Sequence, residues 1–242
     1  MSAGAVFREA LKALRSHELP EQGERDVLAA LEAARPGPLA MLYEAGAEAG
    51  LEREVLLRRA AGLYFCFCAA NLADDMADGD CHYYGEPLRV GPGVQFALHG
   101  LFLATVAQEE VPAPVLAEAA RDMVTMAGLQ AQEVRTHVWR APVYRRVAEG
   151  ISGRQWAVYL RVLWAGTPLA ERAAAVGLGL GVAVHVREDI LCKDPRFHSM
   201  PEADQRAVVA WTREVVEDMR REGLRCVDAV MRTVEPVLGE AG

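Results

Sequence analysis

From Leu63 to Ala73 the chain is apolar apart from Tyr64 and Asn71, and it then runs straight into Asp74, Asp75 and Asp78. Nothing in that stretch breaks a helix: Gly62 stands before it and Gly79 after the last aspartate. The pattern predicts one long helix, about Leu51 to Asp78, with a buried apolar body and three carboxylates in its last turns. On a helix Asp74 and Asp78 lie one turn apart on the same face, with Asp75 alongside. Carboxylates that close repel one another and destabilise an isolated helix. A hard divalent cation reverses that sign, since Mg²⁺ accepts one or two carboxylates and fills its octahedron with water and phosphate oxygens. A solvated acidic helix end is the alternative reading. The apolar run in front favours the metal, because it sets the carboxylates at the rim of a buried cavity.

The rest of the chain reads as helices separated by proline and glycine. Segments at Val6–Arg15 and Glu24–Ala34 come first, then a break at Arg35-Pro36-Gly37-Pro38 and a helix to about Ala49. After a loop from Gly79 to Gly93, helices are expected at Val94–Gln108, Val115–Val138 and Pro142–Trp164, the last weakened near Gly150 and Gly153. Pro168 opens a long helix to Lys193, Pro201 another, and Glu214–Val234 closes the series. No alternating strand pattern is present, so the fold class is all-α, and 242 residues need no boundary: one domain over residues 1–242. Gly177, Gly179 and Gly181 do not follow a strand, so close helix packing explains them better than a phosphate-binding turn.

Composition narrows the partners. A formal charge of −8 disfavours nucleic acid and anionic membranes. The longest apolar runs fall short of the ~20 residues that span a bilayer, so no stable membrane insertion is expected. Met1-Ser2-Ala3-Gly4 has no basic or apolar signal region. Five cysteines in no paired spacing suit a reducing, cytoplasmic setting.

A second acidic pair, Glu188 and Asp189, ends the apolar helix that begins at the glycine-rich run. Two such helices facing one another could hold Mg²⁺ ions around a diphosphate. Asp74-Asp75-x-x-Asp78 resembles the first aspartate-rich motif of trans-isoprenyl diphosphate synthases and class I terpene synthases. Gly181 to Leu191 is similar to the helix of the second motif, and Gly85-x-Pro87 to the G-x-P that follows the first. Leu129-Gln130-Ala131-Gln132-Glu133 resembles the family's G-Q-A-x-D, and Arg35-Pro36 the end of its G-K-R-x-R-P. The resemblance implies a helical bundle around a central cavity and Mg²⁺ as cofactor, about three ions. It implies an allylic prenyl diphosphate as substrate, Asp74, Asp75, Asp78, Glu188 and Asp189 as catalytic, and Asp74, Asp78, Glu188 and Asp189 as metal ligands. Arg140, Arg145, Arg146 and Arg187 are candidate diphosphate clamps. Phe67 and Ala70 would line the prenyl pocket, with Phe65, Trp156, Tyr159 and Trp164 as further aromatic faces. His185, at the glutamine position of F-Q, would orient water or substrate.

The departures from the pattern shape the expected chemistry. Glu32-Ala33-Ala34 precedes Arg35 where G-K-R would stand, Tyr83-Tyr84 replaces paired arginines, and Arg154-Gln155 holds the place of K-T. With the cations for a second diphosphate missing, the expectation is a class I terpene synthase-like lyase. It would ionise one allylic diphosphate and let the cation cyclise, rearrange or take water. The alternatives are a chain-elongating prenyltransferase and a non-catalytic partner subunit. Cys192 stands at the third acid of the second motif, and Arg196 where the terpene-synthase pattern has Glu; Asp194 could compensate. Ala69 and Ala70, one turn inward from the aspartates, imply a deep pocket for a fifteen-carbon or longer chain. Family members are usually longer, so a homodimer closing the cavity is expected.

Overall fold

The structure is a computed structural model that describes residues 3–34 and 37–240. Arg35-Pro36, the match to G-K-R-x-R-P, lies outside the described residues. Every regular element among the described residues is helical, and the chain divides into two compact units, residues 1–112 and 113–242.

In the first unit α1 (Ala3–Arg15), α2 (Glu21–Ala33), α3 (Gly37–Glu48) and α5 (Pro87–Ala107) surround α4 (Arg53–Asp78). The core forms where the sequence is most apolar. Ala60, Ala61, Leu63, Phe65, Ala69 and Leu72 of α4 are fully enclosed, packed with Val6, Ala10, Leu42, Leu98 and Val106 among others. Tyr64 is also buried and donates its hydroxyl to the Leu31 carbonyl at 2.6 Å, so its polar end stays satisfied inside an apolar core. Gly79 ends α4 in the left-handed conformation, and the amides of Asp80 and Cys81 bond back to the Asp75 carbonyl.

Two expectations for this unit need correction. Helix α5 starts at Pro87, not Val94, although Gly91, Pro92 and Gly93 lie inside it. Pro87 sits in the first turn, where it is tolerated, and burial of Val94, Leu98, Leu101 and Phe102 outweighs the weak propensity. The apolar runs fall short of a bilayer only when counted unbroken: averaged over 18 residues α4 and α5 are long and apolar enough to cross one, a test that core helices also pass, and two-thirds of the α4 window is buried.

The second unit holds α6 (Ala113–Glu133), α7 (Ala141–Ala148), a π-helical turn (Glu149–Gly153), α8 (Arg154–Trp164) and a 3₁₀ turn (Ala170–Arg172). It continues with α9 (Ala173–Leu191), α10 (Pro195–His198), α11 (Glu202–Arg221) and α12 (Arg225–Glu240). The glycine-rich face of α9 does what close packing requires. A Cβ on Gly177 would come within 2.5 Å of Ala157 backbone atoms, and one on Gly181 within 2.2 Å of the Ser152 carbonyl. The helix weakened at Gly150 and Gly153 adopts the π turn there. Helix α6 ends at Glu133, short of Val138, and α9 begins at Ala173, since Pro168 lies in the connecting turns. The closing helix does not run through from Glu214: Gly223, at φ 66°, takes a left-handed turn that separates α11 from α12.

Candidate active site

Between Arg59 and Leu72 of helix α4 only Phe67, Ala70 and Asn71 stay partly accessible. This stripe runs on at spacings of three and four residues to Asp74 and Asp78, in the last turns where every residue from Ala73 on is at least partly accessible. An apolar wall thus leads along one face to a carboxylate rim. Asp74 is half-buried and Asp78 exposed. Asp75 points into a different set of contacts. It accepts from Asn71 Nδ2 at 2.9 Å and from the Tyr83 hydroxyl at 3.0 Å. Burial, with Cys81 and Asp75 beside it, holds the Tyr83 phenol well above its ordinary pKa, so it remains a donor. Tyr83 also packs edge-on against Tyr84, whose hydroxyl donates to the Asp26 carbonyl. The tyrosine pair standing in place of two arginines therefore anchors the end of α4. Only the missing charge is legible in the sequence, since nothing local signals a bond from residue 83 back to residue 75.

Of the aromatic candidates, Phe65, Tyr159 and Trp164 are enclosed in core, and Trp156 is nearly so, against Tyr159. Phe67 remains half-exposed, stacked on Tyr64 at 6.3 Å. Ala69 is fully buried, whereas Ala70 belongs to the accessible stripe.

In the second unit Asp189 is buried and accepts from the Tyr144 hydroxyl at 2.8 Å. His185 lies between neighbours: Nδ1 is 2.9 Å from the Ser152 hydroxyl and Nε2 is 3.5 Å from Asp189. Glu188 pairs with Arg187, which also donates to the Thr233 carbonyl. Arg140 pairs with Asp204; Arg145 bonds the Ala207 carbonyl and lies over the Trp211 ring; Arg146 is exposed. Three of the four proposed clamps thus hold helices together in this unit. Arg154, in the K-T position, pairs with Asp122.

Helix α9 does end before Pro195. Lys193 turns left-handed (φ 57°) and the Asp194 amide bonds back to the Asp189 carbonyl. Asp194 does not thereby become an open ligand, for its carboxylate is held by Arg196 through Nε at 2.9 Å and Nη2 at 2.8 Å. Burial pushes Asp194 up, but its bonds to Arg196 outweigh that and keep it below the ordinary carboxylate range. Cys192 is exposed at the helix end.

Among the described residues, no three His, Cys, Asp or Glu side chains converge as a metal cage. The first motif nevertheless fits Mg²⁺, because Asp74 and Asp78 are accessible hard-oxygen donors one turn apart. An ion that keeps water and takes phosphate oxygens needs no more protein ligands than these. The second motif does not fit, since its carboxylates already face Tyr144, Arg187 and Arg196.

Comparison of folds decides the class. A geranyltransferase from Legionella pneumophila superposes with a TM-score of 0.75, at 14% identity over 99% of this chain and 94% of that one. The fold is that of the isoprenyl diphosphate synthases. An isoprenoid synthase family member from Thermotoga neapolitana gives a TM-score of 0.75, at 16% identity over 96% and 98% of the two chains. An FPP/GFPP synthase from Zymomonas mobilis gives 0.67, at 14% identity over 98% of each. No family sequence model and no curated protein matches the chain. These neighbours are not much longer than this chain, contrary to the length expected of relatives. The isoprenyl diphosphate synthase fold is carried here by a sequence whose site residues differ between its two acidic motifs.

Proposed function

We propose that this chain is a chain-elongating prenyltransferase, joining an allylic prenyl diphosphate to isopentenyl diphosphate with release of diphosphate. The observation that carries this reading is the α4 stripe: an apolar wall at Phe67 and Ala70 leading to Asp74 and Asp78. That is the order of surfaces a prenyl diphosphate presents. Its support over the lyase expectation is that the neighbours whose names specify an activity are transferases or prenyl diphosphate synthases. Asp74 and Asp78 would hold Mg²⁺, which when bound supplies Lewis-acid stabilisation of charge on the leaving diphosphate. Asp75, tied to Tyr83 and Asn71, fixes the last turn of α4 so that Asp74 and Asp78 stay on one face. Phe67 and Ala70 exclude water from the prenyl chain. In this reading residues 1–242 act as one domain.

The lyase reading keeps one observation in its favour, since Tyr83 and Tyr84 give no cations for a second diphosphate. The test separates the two. Purified protein is incubated with Mg²⁺ and geranyl, farnesyl or geranylgeranyl diphosphate, with and without isopentenyl diphosphate, and products are read by mass spectrometry. A diphosphate longer by one five-carbon unit, made only with isopentenyl diphosphate, is expected. A hydrocarbon or alcohol from the allylic diphosphate alone would transfer the conclusion to the lyase. No turnover under any condition would leave a non-catalytic partner.

A homodimer belongs to the same reading. Leu88, Pro92, Phe96 and Leu103 form an exposed apolar stripe on α5, Phe96 at 81% exposure, with Gly93 and Gly100 beside it. Small residues next to large ones let a second copy of the same helix approach closely, and one self-complementary patch suffices for a two-fold pair. Phe96→Glu should convert a dimer to a monomer in light scattering; a wild-type chain already monomeric at micromolar concentration would rule the pairing out.

A further inference from the structure

Arg196 stands among three carboxylates drawn from separate parts of the second unit: Glu133 at the end of α6, Asp189 on α9 and Asp194 in the link to α10. Its Nη1 pairs with Glu133, its Nε and Nη2 hold Asp194, and Nη2 lies 3.7 Å from Asp189 Oδ1. The other oxygen of Asp189 accepts from Tyr144. A guanidinium presents five donors in a fixed plane and never gives up its charge, so it can serve several carboxylates at once. Burial disfavours the charged form of Arg196, yet Asp194, Asp189 and Glu133 together more than restore it. A divalent ion at Asp189 Oδ1, the oxygen that Tyr144 leaves open, would have to sit against this cation, and like charges at such range repel strongly.

We propose that Arg196 is the resident cation of the second acidic site. It occupies the place of metal, so Glu133, Asp189 and Asp194 bind no divalent ion, and metal binding by this chain rests on Asp74 and Asp78. Only the last clause depends on the function proposed above. Arg196 acts here as a positioning residue, linking α6, α9 and α10 through one side chain.

Mn²⁺ takes the same oxygen ligands as Mg²⁺ and its free ion has a strong paramagnetic resonance signal. The full chain is titrated with Mn²⁺ in the presence of inorganic pyrophosphate, and bound ions are counted from the signal lost beyond that lost to pyrophosphate alone. Asp189→Asn should bind as many ions as wild type. Arg196→Gln should bind about one more, because three carboxylates without their cation can close on an ion. That gain should vanish in the double variant Arg196→Gln/Asp189→Asn and be absent in Arg196→Lys, which keeps the charge. Loss of bound Mn²⁺ in Asp189→Asn alone overturns the proposal. So does an Arg196→Gln variant that is folded by circular dichroism and binds no more than wild type. If Arg196→Gln folds only when Mn²⁺ is supplied, the proposal is supported by the melting curve instead. Asp74→Asn reports on the first motif separately: wild-type Mn²⁺ binding there would sink the reading of Asp74 as a ligand without touching Arg196.

Discussion

Asp74→Ala should lower turnover of an allylic diphosphate by about a thousandfold or more, with helix content and melting temperature close to wild type. The size follows from what the side chain is placed to do. Asp74 lies half-buried on α4, one turn from Asp78, and in the function proposed above a carboxylate lost there would leave the Mg²⁺ that offsets charge on the departing diphosphate without one of its ligands. Asp78→Ala should act alike, being fully at the rim. Asp75→Ala is expected to differ in kind. It removes the acceptor for Asn71 and Tyr83, so its first effect is on stability, about 1–3 kcal/mol, with activity falling as the end of α4 loosens. Pyrophosphate release measured beside thermal melts separates the two behaviours. Wild-type turnover in Asp74→Ala would remove the first motif from the chemistry altogether.

Gly177→Ala and Gly181→Ala should each destabilise the second unit by about 3 kcal/mol or more, although alanine is the better helix former by roughly 1 kcal/mol. A methyl at either position meets backbone, Ala157 in one case and Ser152 in the other, and backbone cannot swing aside as a side-chain tip can. Gly128→Ala is the matching control. It lies in α6 with nothing within 4 Å of the new Cβ, so it should gain about 0.5–1 kcal/mol from propensity alone. Urea midpoints for the three variants give the sign directly. Equal shifts at positions 177, 181 and 128 would mean that α9 does not depend on that close approach.

What could be read from the sequence depended on the range of the interaction. The body of α4 was legible because apolar residues fill it continuously and a glycine ends it. The packing role of Gly177 and Gly181 was legible because their spacing puts small residues on the face of one helix. The start of α5 was not, since burial of Val94 and Leu98 overrides Gly91 and Pro92 and burial is a property of the partner. Gly223 gives no legible stop in the sequence because the residues around it favour helix, and only its positive φ shows that one helix is two. The acidic motifs divide the same way. Asp74 and Asp78 share a turn, so their relation is local. Asp189 has one local neighbour, His185 a turn before it, but its other partners are Tyr144, 45 residues before it, and Arg196, in a different helix, and neither of those spacings has a period that a sequence could display.

The π turn at Glu149–Gly153 has a consequence for how this chain tolerates change. An ordinary helix advances about 100° per residue, and a π turn absorbs one residue more than a regular turn holds. Residues before it and after it therefore keep separate angular settings along one continuous path: Tyr144 meets Asp189 from one side, while Ala157 meets Gly177 from the other. A substitution at the exposed Glu149 can be absorbed locally, whereas a Cβ on Gly150 would meet Leu129 and one on Gly153 would meet Leu178. Removal of a single residue can be absorbed there too, because it would return the segment to an ordinary α-turn with Tyr144 and Ala157 near their present settings, whereas a residue removed outside the π turn would rotate Ala157 by about 100° away from the glycine face built to receive it. The π turn is thus the place where this helix can take up a change of length without losing the approach of Ala157 to Gly177.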